Sequence, residues 1–198
     1  MVVSNENNYR VVRQLRSFCF KIPYSHIYLT NKSSYQLRYS STLTHVTSSG
    51  EAKMLDISHK QNTSRYASAY AEVHVGKEII KLIRENQLKK GDVLSVAKLA
   101  GIIAAKKTAD LIPLCHNLTL TFTNVNLKID SVAECVKIVS EIRCYGQTGV
   151  EMEALTAVTI AALTVYDMCK AIRHDICIKN VKLIKKTGGK TDFDDEKA

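Results

Sequence analysis

Asp167 and Lys170 stand three residues apart, just after an uncharged run of thirteen residues from Ala154 to Tyr166. On a helix that spacing puts an acid and an amine on one side, a single turn from each other. Such a pair can pass protons if burial draws both pKa values toward neutrality. Spacing alone favours a plainer role, an ion pair closing a core helix, because structural pairs perturb pKa as well. Leu114-Cys115-His116 follows Pro113, which cannot continue a helix. A single loop histidine is more often structural. Cys115-His116 lacks further ligands at metal spacing, which argues against zinc. Adjacent residues rarely point at each other, which argues against a Cys–His nucleophile. Between Gly146 and Glu153, two glycines flank Gln147-Thr148 and a helix begins at once. Free N–H groups at a helix start attract anions. Glu151 and Glu153 either complement the helix dipole there or accept hydrogen bonds from a ligand edge. Lys89, Lys90, Lys106, Lys107, Lys170, Lys185, Lys186 and Lys190 read singly as solvated charges. With Arg65 they could coat a polyphosphate pocket. Thr187-Gly188-Gly189-Lys190 lacks the Walker spacing and a following helix, so it is discounted as a phosphate loop.

The elements that must position these groups are legible in the hydrophobic pattern. Residues 66–75 alternate, with Ala67, Ala69, Ala71, Val73 and Val75 on one side, and predict a strand. Helices are predicted over residues 77–86 and 93–109. Strands follow over 119–129, with an irregularity at Asn124, and over 135–144, joined as a hairpin. A long helix is expected from Val150 to His174 and buried on most sides. A last strand is expected over 177–186. The order β-α-α-β-β-α-β predicts an α+β fold, with helices on one face of a mostly antiparallel sheet and a ferredoxin-like second half.

A chain of 198 residues can bury one real core. No uncharged run reaches the roughly 18 residues of a membrane span. The net charge is +9, but residues 1–50 hold six Lys or Arg against one acid, Glu6. That leaves 22 basic against 18 acidic residues in the remainder, too mild a balance for a general nucleic-acid surface. Six cysteines without a CxxC pair point to free thiols in a reducing compartment, the alternative being Cys135 and Cys144 facing each other across a hairpin. The first 48 residues are Arg- and Ser-rich and nearly free of acid, with Arg10, Arg13 and Arg16 at regular spacing. This composition predicts a mitochondrial transit peptide, with Arg38-Tyr39-Ser40-Ser41 resembling a matrix cleavage site. The folded domain is then expected over 49–191, with a disordered acidic tail over 192–198.

Four segments in order, Lys90 to Val93 (KGDV), Asp110 to His116 (DLIPLCH), Thr148 to Ala157 (TGVEMEALTA) and Tyr166 to Ala171 (YDMCKA), resemble the cyclic pyranopterin monophosphate synthase family of molybdenum cofactor biosynthesis. The resemblance covers about residues 45 to 191. Asn117 departs from it, where many members have proline, and removes no reactive group. The resemblance implies a ferredoxin-like α+β lyase, in the mitochondrial matrix for a eukaryotic form. It would convert (8S)-3′,8-cyclo-7,8-dihydroguanosine 5′-triphosphate to cyclic pyranopterin monophosphate and diphosphate. It implies Asp167 and Lys170 as catalytic residues. Leu114, Cys115, His116, Glu151, Met152 and Glu153 would bind substrate, with Lys90, Lys186 and Arg65 as further basic positions. It also implies a homohexamer of three dimers with sites between subunits. Lys90 and Lys170 would then come from different subunits. No resident cofactor or protein-held metal is expected, beyond a divalent ion that could accompany the triphosphate. Two other classes compete. A basic RNA-binding module would want aromatics on its sheet, and the domain offers only Phe122 and Phe193 as phenylalanines and no tryptophan. A non-catalytic assembly subunit would not need Asp167, Lys170, His116 and Glu153 intact.

Overall fold

The computed structural model describes residues 52–195. The expected transit peptide and its cleavage site lie outside them, as does Cys19. Strand β1 (Thr63–His74) forms the middle of a five-stranded sheet in the order β2-β3-β1-β4-β5, with β2 at Leu120–Asp130, β3 at Cys135–Gly146, β4 at Cys177–Thr187 and β5 at Phe193–Asp194. Neighbouring strands are antiparallel throughout. Helices α1 (Lys77–Arg84), α2 (Val93–Lys106), α3 (Thr108–Leu111) and α4 (Glu151–Cys169) complete the domain. This is the α+β, ferredoxin-like arrangement the sequence predicts.

Alternation in β1 and β3 decides which face the helices cover. Ala67, Ala69, Ala71 and Val73 of β1 are fully buried, as are Val136, Ile138 and Ile142 of β3. They face α4, whose Ala154, Ala157, Val158, Ala161 and Val165 are equally buried. Alanines on both sides let the helix lie close to the sheet. The one polar side chain of β3 on this face, Ser140, donates to the Ala154 carbonyl at 2.8 Å. Its own carbonyl accepts from the Ser68 hydroxyl at 2.8 Å. This satisfied bridge fixes the first turns of α4 over the sheet. Helix α2 packs along α4, with Gly101 at the contact. A Cβ there would lie 2.8 Å from the Ala157 carbonyl and 3.2 Å from both Ala161 and Val125 side chains.

Several boundaries differ from expectation. The second helix breaks at Lys107, so α2 and α3 are separate. Helix α4 ends at Cys169, five residues short of His174, because the last charged turn has no core left to cover. The irregularity of β2 falls between Leu120 and Phe122 rather than at Asn124. Phe193 and Asp194 pair with Lys186 and Lys185 as β5, so order extends into the segment expected to be a loose tail. Thr187-Gly188 is the β4 end of that turn: the Gly188 carbonyl accepts from the Thr63 hydroxyl at 2.8 Å and its N–H donates to Asp192. Cys135 and Cys144 occupy opposite ends of the same strand, so they cannot pair across a hairpin; both are buried free thiols.

Candidate functional site

The polar residues singled out above fall into two groups, one at each end of α4. At the N-terminal end, a cleft of about 360 Å³ is lined by Leu114, Cys115, His116, Glu151, Met152 and Glu153, together with Thr148, Gly149, Leu118, Leu55, Ile57 and Lys60. The loop after α3 supplies the first three, and the first turn of α4 supplies the glutamate pair. Glu153 is 4% exposed. Burial, reinforced by the neighbouring charge of Glu151, pushes its carboxyl above the ordinary range. Glu151 folds back over Gly149, where a Cβ would lie 1.9 Å from its carboxylate. It also pairs with Lys186 of β4 at 3.1 Å. Burial and the Glu153 charge push the Cys115 thiol up. That keeps it protonated and argues against a nucleophilic thiolate.

Arg65 reaches the same end by another route. Its guanidinium donates to the Gly146 and Gln147 carbonyls at 3.3 and 3.2 Å, so it braces the turn that opens α4. Lys60, Leu55 and Ile57 were not legible as site residues. They lie in an irregular segment before β1, with no periodicity or motif to mark them.

At the other end, Asp167 accepts from two ammonium groups. Lys170 reaches one carboxylate oxygen at 2.7 Å and Lys90, from the loop before α2, reaches the other at 2.7 Å. Lys90 also donates to the Asp167 carbonyl at 3.0 Å, placing a cation on the negative end of the α4 dipole. The clasp is half exposed: side-chain exposure is 54% for Asp167 and 50% for Lys170. The burial on which the proton-passing reading depends is therefore absent within one protomer, where the pair is the plainer ion pair that spacing favours. Hydrogen bonds from Lys170 and Lys90 hold the Asp167 carboxyl down at about 2. The Asp167 carboxylate in turn raises the Lys170 ammonium. Opposite charges meeting outside the core move apart in pKa, not together. Lys90 and Lys170 also meet on one carboxylate of one protomer, so they do not represent different subunits.

Fourteen residues of α4 separate Glu153 from Asp167, about 21 Å at the helical rise of 1.5 Å per residue. Within one protomer the structure brings together His116, Glu153, Glu151, Lys186 and Arg65 at one end, and Lys90, Asp167 and Lys170 at the other. It does not bring the two sets together. Among the described residues, no three His, Cys, Asp or Glu side chains are grouped to hold a metal ion.

An α+β domain with an acid-lined cleft at one end of its core helix and a Lys–Asp–Lys clasp at the other defines a class: a ferredoxin-like domain with an acidic and a basic polar cluster set apart along one helix. Comparison with known proteins narrows the class. The MoaC family profile matches residues 54–189. Molybdenum cofactor biosynthesis protein 1 of Drosophila melanogaster is 54% identical over 173 residues, 87% of this chain and 31% of that protein. The mitochondrial cyclic pyranopterin monophosphate synthase of Arabidopsis thaliana is 54% identical over 151 residues, 76% of this chain and 56% of that protein. The cyclic pyranopterin monophosphate synthase of Heliobacterium modesticaldum is 49% identical over 149 residues, 75% of this chain and 94% of that protein. The chain belongs to the MoaC family. It spans about a third of the Drosophila relative and about half of the Arabidopsis one.

Proposed function

We propose that this chain acts as a cyclic pyranopterin monophosphate synthase, a lyase that takes (8S)-3′,8-cyclo-7,8-dihydroguanosine 5′-triphosphate to cyclic pyranopterin monophosphate and diphosphate. The names of the Arabidopsis and Heliobacterium relatives support it. The observation that carries it here is the division of charge along α4: carboxyls and an imidazole in a cleft, and two lysines on a carboxylate beyond hydrogen-bonding reach. The reaction rebuilds a guanine-derived ring and closes a cyclic phosphate, forming one P–O bond as the bond to diphosphate breaks. It therefore needs ring recognition and charge stabilisation in one place.

In this reading Glu153 and Glu151 meet the N–H edge of the ring, and His116 holds it from the loop. Burial raises the Glu153 carboxyl, so in its protonated form it can also donate. Once a second copy and the ligand cover the clasp, Lys170 delivers or takes protons while Asp167 orients it, and Lys90 and Lys186 offset charge on the departing diphosphate. No redox cofactor is called for, since the step is electron-neutral; a divalent ion would arrive with the triphosphate. The two half-sites meet when a second copy sets the N-terminal end of its α4 beside this clasp, an isologous contact repeated twice per dimer. Exposed Val96, Leu99 and Ile103 on the outer face of α2 and Leu163 on α4 supply apolar surface suited to such contacts, and the reading extends to a hexamer of three dimers. The basic segment over residues 1–48 and the mitochondrial name of the Arabidopsis relative support import into the matrix.

Diphosphate release from the cyclised triphosphate tests the assignment. The unaltered chain is expected to release it, and Lys170→Ala to lose about 100-fold or more in kcat. Release at an unaltered rate from Lys170→Ala would overturn the role given to the clasp.

A further inference from the structure

The segment before β1 lines the acid-lined cleft through Leu55, Ile57 and Lys60. This strap is irregular backbone over residues 53–62. Its internal hydrogen bonds are local: Lys60 N–H donates to the Ile57 carbonyl at 2.9 Å, and Ser58 N–H to the Asp56 carboxylate at 2.9 Å. Among the described residues, two hydrogen bonds reach residues 55–60 from elsewhere in the domain. Both come from one side chain: the Gln147 amide donates to the Ser58 and Lys60 carbonyls at 3.3 and 3.0 Å. Gln147 is itself held in place, because its carbonyl accepts from Arg65.

We propose that Gln147 is a positioning residue, a clip that fastens the strap over the cleft and so sets the Lys60 ammonium at its wall. The proposal rests on the reading of the cleft as a substrate half-site, and it adds a part that reading does not contain. With Ala52 paired at one end and β1 at the other, the span between them takes its outside hydrogen bonds at residues 55–60 from one amide, so it can open without unfastening either end. The local Asp56–Lys60 turn keeps its shape when the clip opens, so the strap swings as a unit. Opening admits a large anionic ligand; closing brings an ammonium and two apolar side chains against it and excludes water. The glutamine suits the task, since its amide donates twice without adding a charge beside Glu151 and Glu153.

Gln147→Glu keeps the size and removes both donors; Gln147→Arg changes the size and restores donors. The full chain is compared by tryptic cleavage after Lys53 and Lys60 and by steady-state kinetics on the cyclised triphosphate. Loss of two hydrogen bonds is expected to raise cleavage of the free Gln147→Glu protein about tenfold, with KM raised by a similar factor and kcat held within about twofold. Gln147→Arg is expected to return both toward the unaltered values. Unchanged cleavage in Gln147→Glu would overturn the clip. Faster cleavage with unchanged KM would overturn the link between strap and substrate, as would a fall in kcat at constant KM. If the unaltered chain turns over no substrate, the reading of the cleft fails, and the cleavage arm still decides the clip.

Discussion

Two carboxyls near one helix are driven in opposite directions by their surroundings. Asp167 sits outside the core between two ammonium groups and stays ionised down to about 2. Glu153 sits inside it, beside another acid, and holds its proton above its ordinary value of 4.5. The consequences for stability have opposite signs. Asp167 contributes stability above its ordinary value of 3.8, and that contribution is lost as pH falls toward about 2. The folded state binds the Glu153 proton more tightly than the unfolded chain does. Stability is therefore lost as pH rises from about 4.5 into the raised range. Glu153→Gln removes that loss. Thermal unfolding should show the variant more stable than the unaltered protein at pH 7, with the difference shrinking toward pH 4, while diphosphate release falls. A difference that grows toward acid pH would show that Glu153 is stabilised as the anion.

At the scale of elements, the cleft and the clasp are only as well placed as α4. The Ser140–Ala154 hydrogen bond anchors one end against β3, and Lys90 caps the other. Between them, α2 lies close because Gly101 has no side chain. Gly101→Ala would gain about 1 kcal/mol of helix propensity in isolation. Here the added methyl meets the Ala157 backbone carbonyl at 2.8 Å, which cannot move without moving the core helix. The net effect is expected to be a destabilisation of about 1–3 kcal/mol, read as a lower denaturant midpoint at unchanged slope. A stabilised variant would mean that the two helices separate freely. The turns carry as much positional information as the helices. Arg65 braces Gly146 and Gln147, so a residue expected to face phosphate also holds the loop from which α4 and the strap contact both depart.

For the whole molecule, complementation is the decisive measurement. The clasp contains both Lys90 and Lys170, so variants of these two residues damage the same half-site and cannot rescue each other. The informative pair takes one residue from each end. Neither His116→Ala nor Lys170→Ala alone should release diphosphate. Subunits mixed by unfolding and refolding should recover about a quarter of full activity, since random pairing makes half the dimers mixed and each mixed dimer has one intact site. No recovery, from variants that each assemble normally, would place the complete site within one protomer.

Local pattern settled the elements of this protein. Alternation in residues 67–73 and in β3, and the uncharged run from Ala154 to Tyr166, specify strands and a core helix because burial of one face repeats with the period of the backbone. The spacing of Asp167 and Lys170 likewise guaranteed their contact, a matter of one helical turn. Tertiary structure decided what spacing cannot encode. It put this pair outside the core and so set the direction of both pKa values. It brought Lys90 across 77 residues onto the same carboxylate and turned Arg65 into a brace. It recruited Lys60 from a segment with no pattern at all. Solvent exposure and long-range approach depend on how elements stack, and a residue's neighbours in the chain do not determine its neighbours in space.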